Sequence, residues 1–166
     1  MHYVILESRI QPVMLITKEI TDFYKLKRTE HVDLVNGFAQ RLGYNFPDHD
    51  ADKFCDPIMS MIAPAVWCKA CNIPRTEEIN ASAKTGVAIH KAKNLHHPEA
   101  WKNVADMTEI ALIEMCCDWR AANAEKRTSS GVFGDTMDFY IRHALPEYKF
   151  TKSQQKFIEE ILEKLR

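Results

Sequence analysis

Four side chains in this 166-residue chain are of the types that hold a divalent cation: His31, the adjacent pair His49 and Asp50, and Asp118. A neutral imidazole offers a lone pair and an ionised carboxylate offers charge. Two of each hold a dication while leaving coordination positions open for water and substrate. Each residue alone has a plainer reading. His31, on an apolar helical stripe, is by itself more often a hydrogen-bonded core histidine, and Asp48 or Asp50 could simply cap the helix that follows. Asp118 says more, because Met115, Cys116, Cys117, Trp119 and Ala121 surround it in sequence. Burying an unpaired carboxylate among them would cost on the order of several kcal/mol, so something positive should meet it.

A second set lies in HKAKNLHH, where His90, Asn94 and His97 fall at i, i+4 and i+7 and share one face of a helix. They read as ligands for a second metal, as a grip on phosphate that also protonates a leaving oxygen, or as a solvated face shared with Lys91 and Lys93. Helical phase favours His97 over His96. Lys53 and Arg120 are candidates for neutralising phosphate charge, and Tyr140 for lining the same pocket from the next helix.

The elements that must position these residues are helices. Five glycines are too few for the tight turns of a sandwich or barrel, and no internal repeat or linker divides residues 1–166, which read as a single all-α domain of about six or seven helices. The opening HYVILES reads as a short strand or an extended arm. A first helix is expected over residues 17–26 and a second over 29–42, the latter carrying His31 before Val35, Phe38 and Leu42 and stopping at Gly43. YNFPDHDADKF is too turn-rich for a helix middle and delivers His49 and Asp50 at the start of a new run. Pro57 and Pro64 are expected to keep the next segment in short pieces. Thr76 should cap a helix that runs to about His96, where Pro98 forces an end. Asp106 with Glu109 fits a capping box for the helix bearing Asp118, Asp135 can cap one through His143, and Thr151 with Gln154 caps an amphipathic tail that could serve a core or a homo-oligomer interface.

In that order, on a helical framework, His31, His49-Asp50 and Asp118 resemble the His, His-Asp, Asp signature of the HD-domain metal-dependent phosphohydrolases. HDADK is similar to the HDxGK element of the HD-GYP phosphodiesterases, and HKAKNLHHPEAW to the second-metal element of that branch. Together with IEMCCDWRAAN, the arrangement resembles small HD-like proteins of bacteria and phages across about residues 29–143. The resemblance implies a metal held by His31, His49, Asp50 and Asp118, with Lys53 and His90 or His97 assisting catalysis and Asn94, Arg120 and Tyr140 contacting substrate. The implied reaction is hydrolysis of a phosphate ester or anhydride in a small phosphorylated metabolite, a nucleotide or deoxynucleotide first among them. The cation would be Mn, Co, Fe, Mg or Zn. Departures from the family pattern set limits: no GYP follows His97-Pro98-Glu99, and Lys53 stands where small HD nucleotidases place an acidic residue. His90 lies only six residues before His96, which points to one ion rather than two. Some HD-like proteins, such as myo-inositol oxygenase, use two irons and dioxygen instead, and a helical binding protein on the same scaffold is the third reading.

Composition excludes other classes. With 22 basic and 23 acidic side chains and a net charge of -1, the chain lacks the cationic excess that duplex nucleic acid demands. No apolar run approaches the roughly 20 residues of a membrane span, and charges interrupt the start where a signal peptide would be apolar. Five cysteines, an odd number with two adjacent, make a poor disulfide framework and fit a cytoplasmic address. A chain of this length buries roughly 70% of its surface without staples, so a metal here would be functional rather than structural.

Overall fold

The computed structural model describes residues 16–130 and 136–166. The described chain is all-α, with no strand among the described residues, and no described helix is long and apolar enough to cross a membrane. HYVILES and Asp135 lie outside the described residues.

Helix α1 runs unbroken over Lys18–Arg41, where two helices were expected. Between residues 18 and 36 the sequence holds no glycine or proline, so only weakly unfavourable residues such as Thr29 mark the expected break, and packing overrides them. Thr17 caps the start through its side chain, and the buried positions Ile20, Tyr24, His31, Val35 and Ala39 face inward. Past Gly43, whose φ of 82° only glycine adopts freely, the chain turns back along α1. Asn36 pins that turn from both sides, its amide donating to the Phe46 carbonyl at 3.2 Å and its oxygen accepting from the Phe46 N–H at 2.6 Å. A 3-10 turn, Ala51–Phe54, follows.

Helix α2, Ile58–Ala70, passes straight through Pro64 instead of breaking there. An interior proline costs about 3 kcal/mol, but Ile58, Ile62, Ala63, Pro64, Ala65 and Cys68 are all buried, and burial of several apolar side chains at roughly 1.5–3 kcal/mol each outweighs it. Helix α3, Glu77–Lys93, starts at the Thr76 cap and packs on α2 through Gly86. It ends three residues earlier than expected: Asn94 is already extended, and its side-chain amide donates to the last-turn carbonyl of His90 at 2.8 Å.

Helix α4, Glu109–Ser130, begins past the expected Asp106, which lies in a separate 3-10 turn, Val104–Asp106. Thr108 is the cap, its hydroxyl accepting from the Ala111 N–H at 3.4 Å. A continuous helical run follows as α5 (Thr136–Phe139), a π turn (Tyr140–Ala144) and α6 (Leu145–Glu147). The amphipathic tail is α7, Lys152–Lys164, opened by the reciprocal Thr151 and Gln154 capping box. Ile158, Ile161, Leu162 and, just past its end, Leu165 are buried where it packs on α4 and α5, so that face serves the core. Two guanidinium groups hold its end: Arg120 Nε donates to the Leu165 carbonyl at 2.9 Å, and Arg41 to those of Lys164 and Arg166 at 3.1 Å.

Two apolar clusters result, one around Val35, Leu112, Met115 and Leu162, the other around Ile20, Tyr24, Ile58 and Ile62. On α1, His31 falls between them, seven residues after Tyr24 and four before Val35. The polar centre occupies that gap.

Candidate metal centre

Asp50 sits at the middle of the centre, 1% exposed. Its backbone is left-handed, φ 58° and ψ 18°, and although it occupies the cap position of the 3-10 turn its side chain makes no capping hydrogen bond. The plain capping role therefore does not apply, and the carboxylate points inward. One oxygen, Oδ2, takes the Lys53 ammonium at 2.7 Å and lies 3.9 Å from His31 Nε2. The other, Oδ1, lies 3.1 Å from His90 Nε2 and 3.7 Å from both His49 Nε2 and His96 Nε2. Asp118 Oδ1 closes the α4 side, 3.0 Å from His31 Nε2 and 3.9 Å from His49 Nε2. Side chains scattered from residue 31 to residue 96 thus turn their donor atoms to one carboxylate, with Asp118 beside it on the same imidazoles.

Four of the imidazoles are also held from behind. The Nδ1 atoms of His49 and His96 approach Glu114 Oε1 at 2.8 and 3.2 Å, that of His90 meets Asp52 Oδ1 at 2.8 Å, and that of His31 lies 3.2 Å from Glu125. For His49, His90 and His96 a carboxylate on Nδ1 fixes the tautomer that leaves the Nε2 lone pair facing inward, the usual outer support of metal-binding histidines, whereas His31 Nε2 meets the Asp118 oxygen and in the metal-free chain carries a proton there. Asn94 completes one support, its amide nitrogen donating to Asp52 Oδ2 at 2.8 Å.

The buried donors have too few partners. His49 Nε2, Asp50 Oδ1 and His96 Nε2 are buried without any hydrogen-bond partner, a state that costs on the order of 1–3 kcal/mol per group. Their spacing suits a cation, since ligands at about 2.1 Å from a tetrahedral ion stand roughly 3.4 Å apart. Three overlapping groups have ligand atoms within 4.8 Å of one another: His31, His49 and Asp50; Asp50, His90, His96 and His97; and His49, His96 and Glu114, the last gathered around the Glu114 carboxylate. The donor set, imidazole mixed with carboxylate, fits a divalent transition metal.

Charge agrees with geometry. Burial alone would raise the Asp50 carboxyl; the neighbouring His90, then Lys53 and His49, outweigh it and hold the group far below the ordinary carboxylate range. Asp118 is likewise pushed up by burial and pulled further down by His31, then His49. Burial also opposes ionisation of Glu114, yet His49 and His96 bring it down to about 2. For His31 burial disfavours charge, but Asp118 and Glu125 raise it to about 9. His97 goes the other way, to about 3, through burial and then His96.

The sequence-derived residues divide clearly. His31, His49, Asp50, Asp118, Lys53, His90 and His97 come together. His96 does too, and the choice between His96 and His97 dissolves: α3 has ended, helical phase no longer applies, and a turn brings both rings to the centre. For the same reason the six-residue interval from His90 does not keep a second donor group apart. His90 Nε2 and His97 Nε2 lie 2.9 Å apart, and with His90 Nδ1–H given to Asp52, His97 is the donor. Three residues correct the expectation that they bind substrate. Asn94 is spent on Asp52 and the end of α3. Arg120 reaches away to the Leu165 carbonyl, with its guanidinium 4.7 Å from the Phe38 ring. Tyr140 is fully buried in the core, stacked on Trp119 at 6.2 Å.

Glu114, Glu125 and Asp52 were missed. Glu114 and Glu125 stand four residues before and seven after Asp118, on its helical face, which is the signal that could have found them.

No curated protein and no solved structure matches the chain. A family model does, across residues 20–164, a span that takes in every residue of the centre. The chain belongs to DUF5662, a family of unknown function.

Proposed function

We propose that this protein is a metal-dependent phosphohydrolase acting on an ester or anhydride of a small phosphorylated metabolite, with nucleotides and deoxynucleotides the first class to test. The observation that carries the reading is the shared carboxylate: Asp50 presents Oδ2 toward His31 and Oδ1 toward His49, His90 and His96. His31, His49, Asp50 and Asp118 would hold one divalent ion, and Asp50, His90 and His96 a second beside it. Ions so bound would supply Lewis acidity toward a phosphoryl oxygen and a water acidic enough to attack it.

The chain's own residues do the rest. Lys53, partly exposed and 2.7 Å from Asp50, is the one ammonium group in contact with the centre among the described residues. It neutralises Asp50 and stands where peripheral phosphoryl oxygens would need a positive donor. His90, 1% exposed and tied to Asp52, is a ligand rather than a proton donor. His97 has no carboxylate on it among the described residues and is held neutral with its one N–H given to His90 Nε2, so it orients that ring and is not the proton donor to a leaving oxygen. Glu114, Asp118, Asp52 and Lys53 are each partly exposed, and a substrate would approach the centre from their side.

The test is phosphate release from a panel of ribo- and deoxynucleotide mono-, di- and triphosphates with manganese, cobalt, magnesium or iron, comparing the protein with Asp50→Ala. Metal-dependent release abolished by the substitution supports the reading, and full activity after metal stripping overturns it. One observation favours a second chemistry: six ligands around two adjacent positions also suit a di-iron oxygenase. Silence across the panel, with iron bound and oxygen consumed, would select that reading.

A further inference from the structure

We infer that Glu114 is a positioning residue shared by both metal positions, so that one carboxylate oxygen sets the ligand geometry of the whole centre. This rests on the metal reading above and adds a property that the ligand set alone does not imply. Each of the other outer carboxylates serves one ring: Asp52 meets His90, and Glu125 meets His31. Glu114 serves two neighbouring rings, His49 and His96, one from each of the two groups of inward-facing ligands that share Asp50. The same atom, Oε1, lies 2.8 Å from His49 Nδ1 and 3.2 Å from His96 Nδ1, and the two ring centroids are 4.5 Å apart.

A carboxylate oxygen only accepts, so both Nδ1 atoms carry their protons and both Nε2 atoms present lone pairs inward. Those two Nε2 atoms are buried and without a hydrogen-bond partner. Nothing on the inner side therefore orients either ring in the metal-free chain, and the shared oxygen does so from outside. His49 arrives from the turn pinned by Asn36 and His96 from the turn after α3, 47 residues later in the chain. Neither turn is in a helix, so their rings depend on α4 for register, and Glu114 stands one helical turn before the ligand Asp118. Outer-shell supports of this type are typically worth about 10–100-fold in metal affinity. For Glu114 that loss falls on both positions together.

Because one oxygen does the work, Glu114→Gln keeps the acceptor and Glu114→Ala removes it. Cobalt(II) is the probe, titrated calorimetrically into metal-free protein with its visible absorption followed in parallel, and circular dichroism reports the fold. In the unaltered protein two ions bind. Glu114→Ala weakens both by about 10–100-fold, Glu114→Gln retains two sites with a smaller loss, and Asp52→Ala weakens one only. If Glu114→Ala weakens a single site, or leaves both unchanged with the fold intact, the shared role is overturned while the metal reading stands. If Glu114→Ala does not fold, Glu114→Gln decides, and two sites of unequal loss there also overturn it. One ion bound by the unaltered protein refutes the sharing alone; no ion bound refutes the metal reading as well.

Discussion

Two helical glycines of opposite circumstance test the close packing of α2 on α3 that carries His90. A Cβ added at Gly86 would meet Met61 Cβ at 2.8 Å and Ile62 Cγ1 at 2.9 Å, whereas one added at Gly37 would meet nothing within 4 Å. Alanine gains about 0.8–1 kcal/mol over glycine in a helix interior, and that gain is common to both positions. At Gly86 it is opposed by overpacking, typically about 1–3 kcal/mol, because the nearest obstacle is the root of a side chain and not its flexible end. Gly37→Ala is therefore expected to raise Tm by about 3 °C and Gly86→Ala to lower it by a similar amount, taking about 2–4 °C per kcal/mol for a chain of this size. Gly86 is also one turn before His90, so spreading α2 from α3 moves that ring away from Asp50. Scanning calorimetry of the two variants under chelation reads the stability directly. Equal shifts in the same direction would refute the close crossing, since the propensity gain alone would then account for both.

Other outcomes follow from the same contacts. In chelator, the pKa of about 9 at His31, against an ordinary 6.5, is worth on the order of 3 kcal/mol to the folded state. That stability is fully present below pH 6.5 and disappears as pH rises through 9, so the urea midpoint should fall across this window; a midpoint that rises or stays level there contradicts the Asp118 and Glu125 contacts. Arg120→Ala removes a donor to the Leu165 carbonyl and should lower stability by about 1–2 kcal/mol with cobalt stoichiometry unchanged; loss of metal would return Arg120 to the centre. Thr151→Ala removes half of the α7 capping box and should cost about 1 kcal/mol in thermal unfolding, an effect that would be missing if α7 were held by packing alone.

Much of the fold was legible because its signals are local. The Thr76 cap and the Thr151 and Gln154 box each need only three or four neighbouring residues, and both form as read. Errors arose where a local preference met a distant partner. Pro64 reads as a break until the buried face of α2 is known, and residues 17–42 read as two helices until α4 and α2 are seen packed along their length. Asp106 and Glu109 have the spacing of a capping box, but Thr108 takes the cap inside it. Such competition between adjacent capping residues is settled by the path of the incoming chain.

The site was legible in a different way. His31, Asp50 and Asp118 are anomalies, polar groups where an apolar face or a simple cap would suffice, and burial makes each of them a demand for a partner. Glu114 and Glu125 are no anomaly, since acidic residues on a helix surface need no explanation; only the inward direction of Asp118 turns their spacing into information. Asp52 and His96 were hidden more deeply. Asp52 depends on a left-handed residue at Asp50, a conformation costing on the order of 1 kcal/mol or more outside glycine, and His96 depends on where α3 stops. Both lie in short irregular segments, where side-chain direction follows no period. The ligands on helices were therefore legible from their period and His49 and Asp50 from their adjacency, while His96 is placed by the contact α4 makes with it, and it is α4, through Glu114, Asp118 and Glu125, that touches three of the four imidazoles supported from outside.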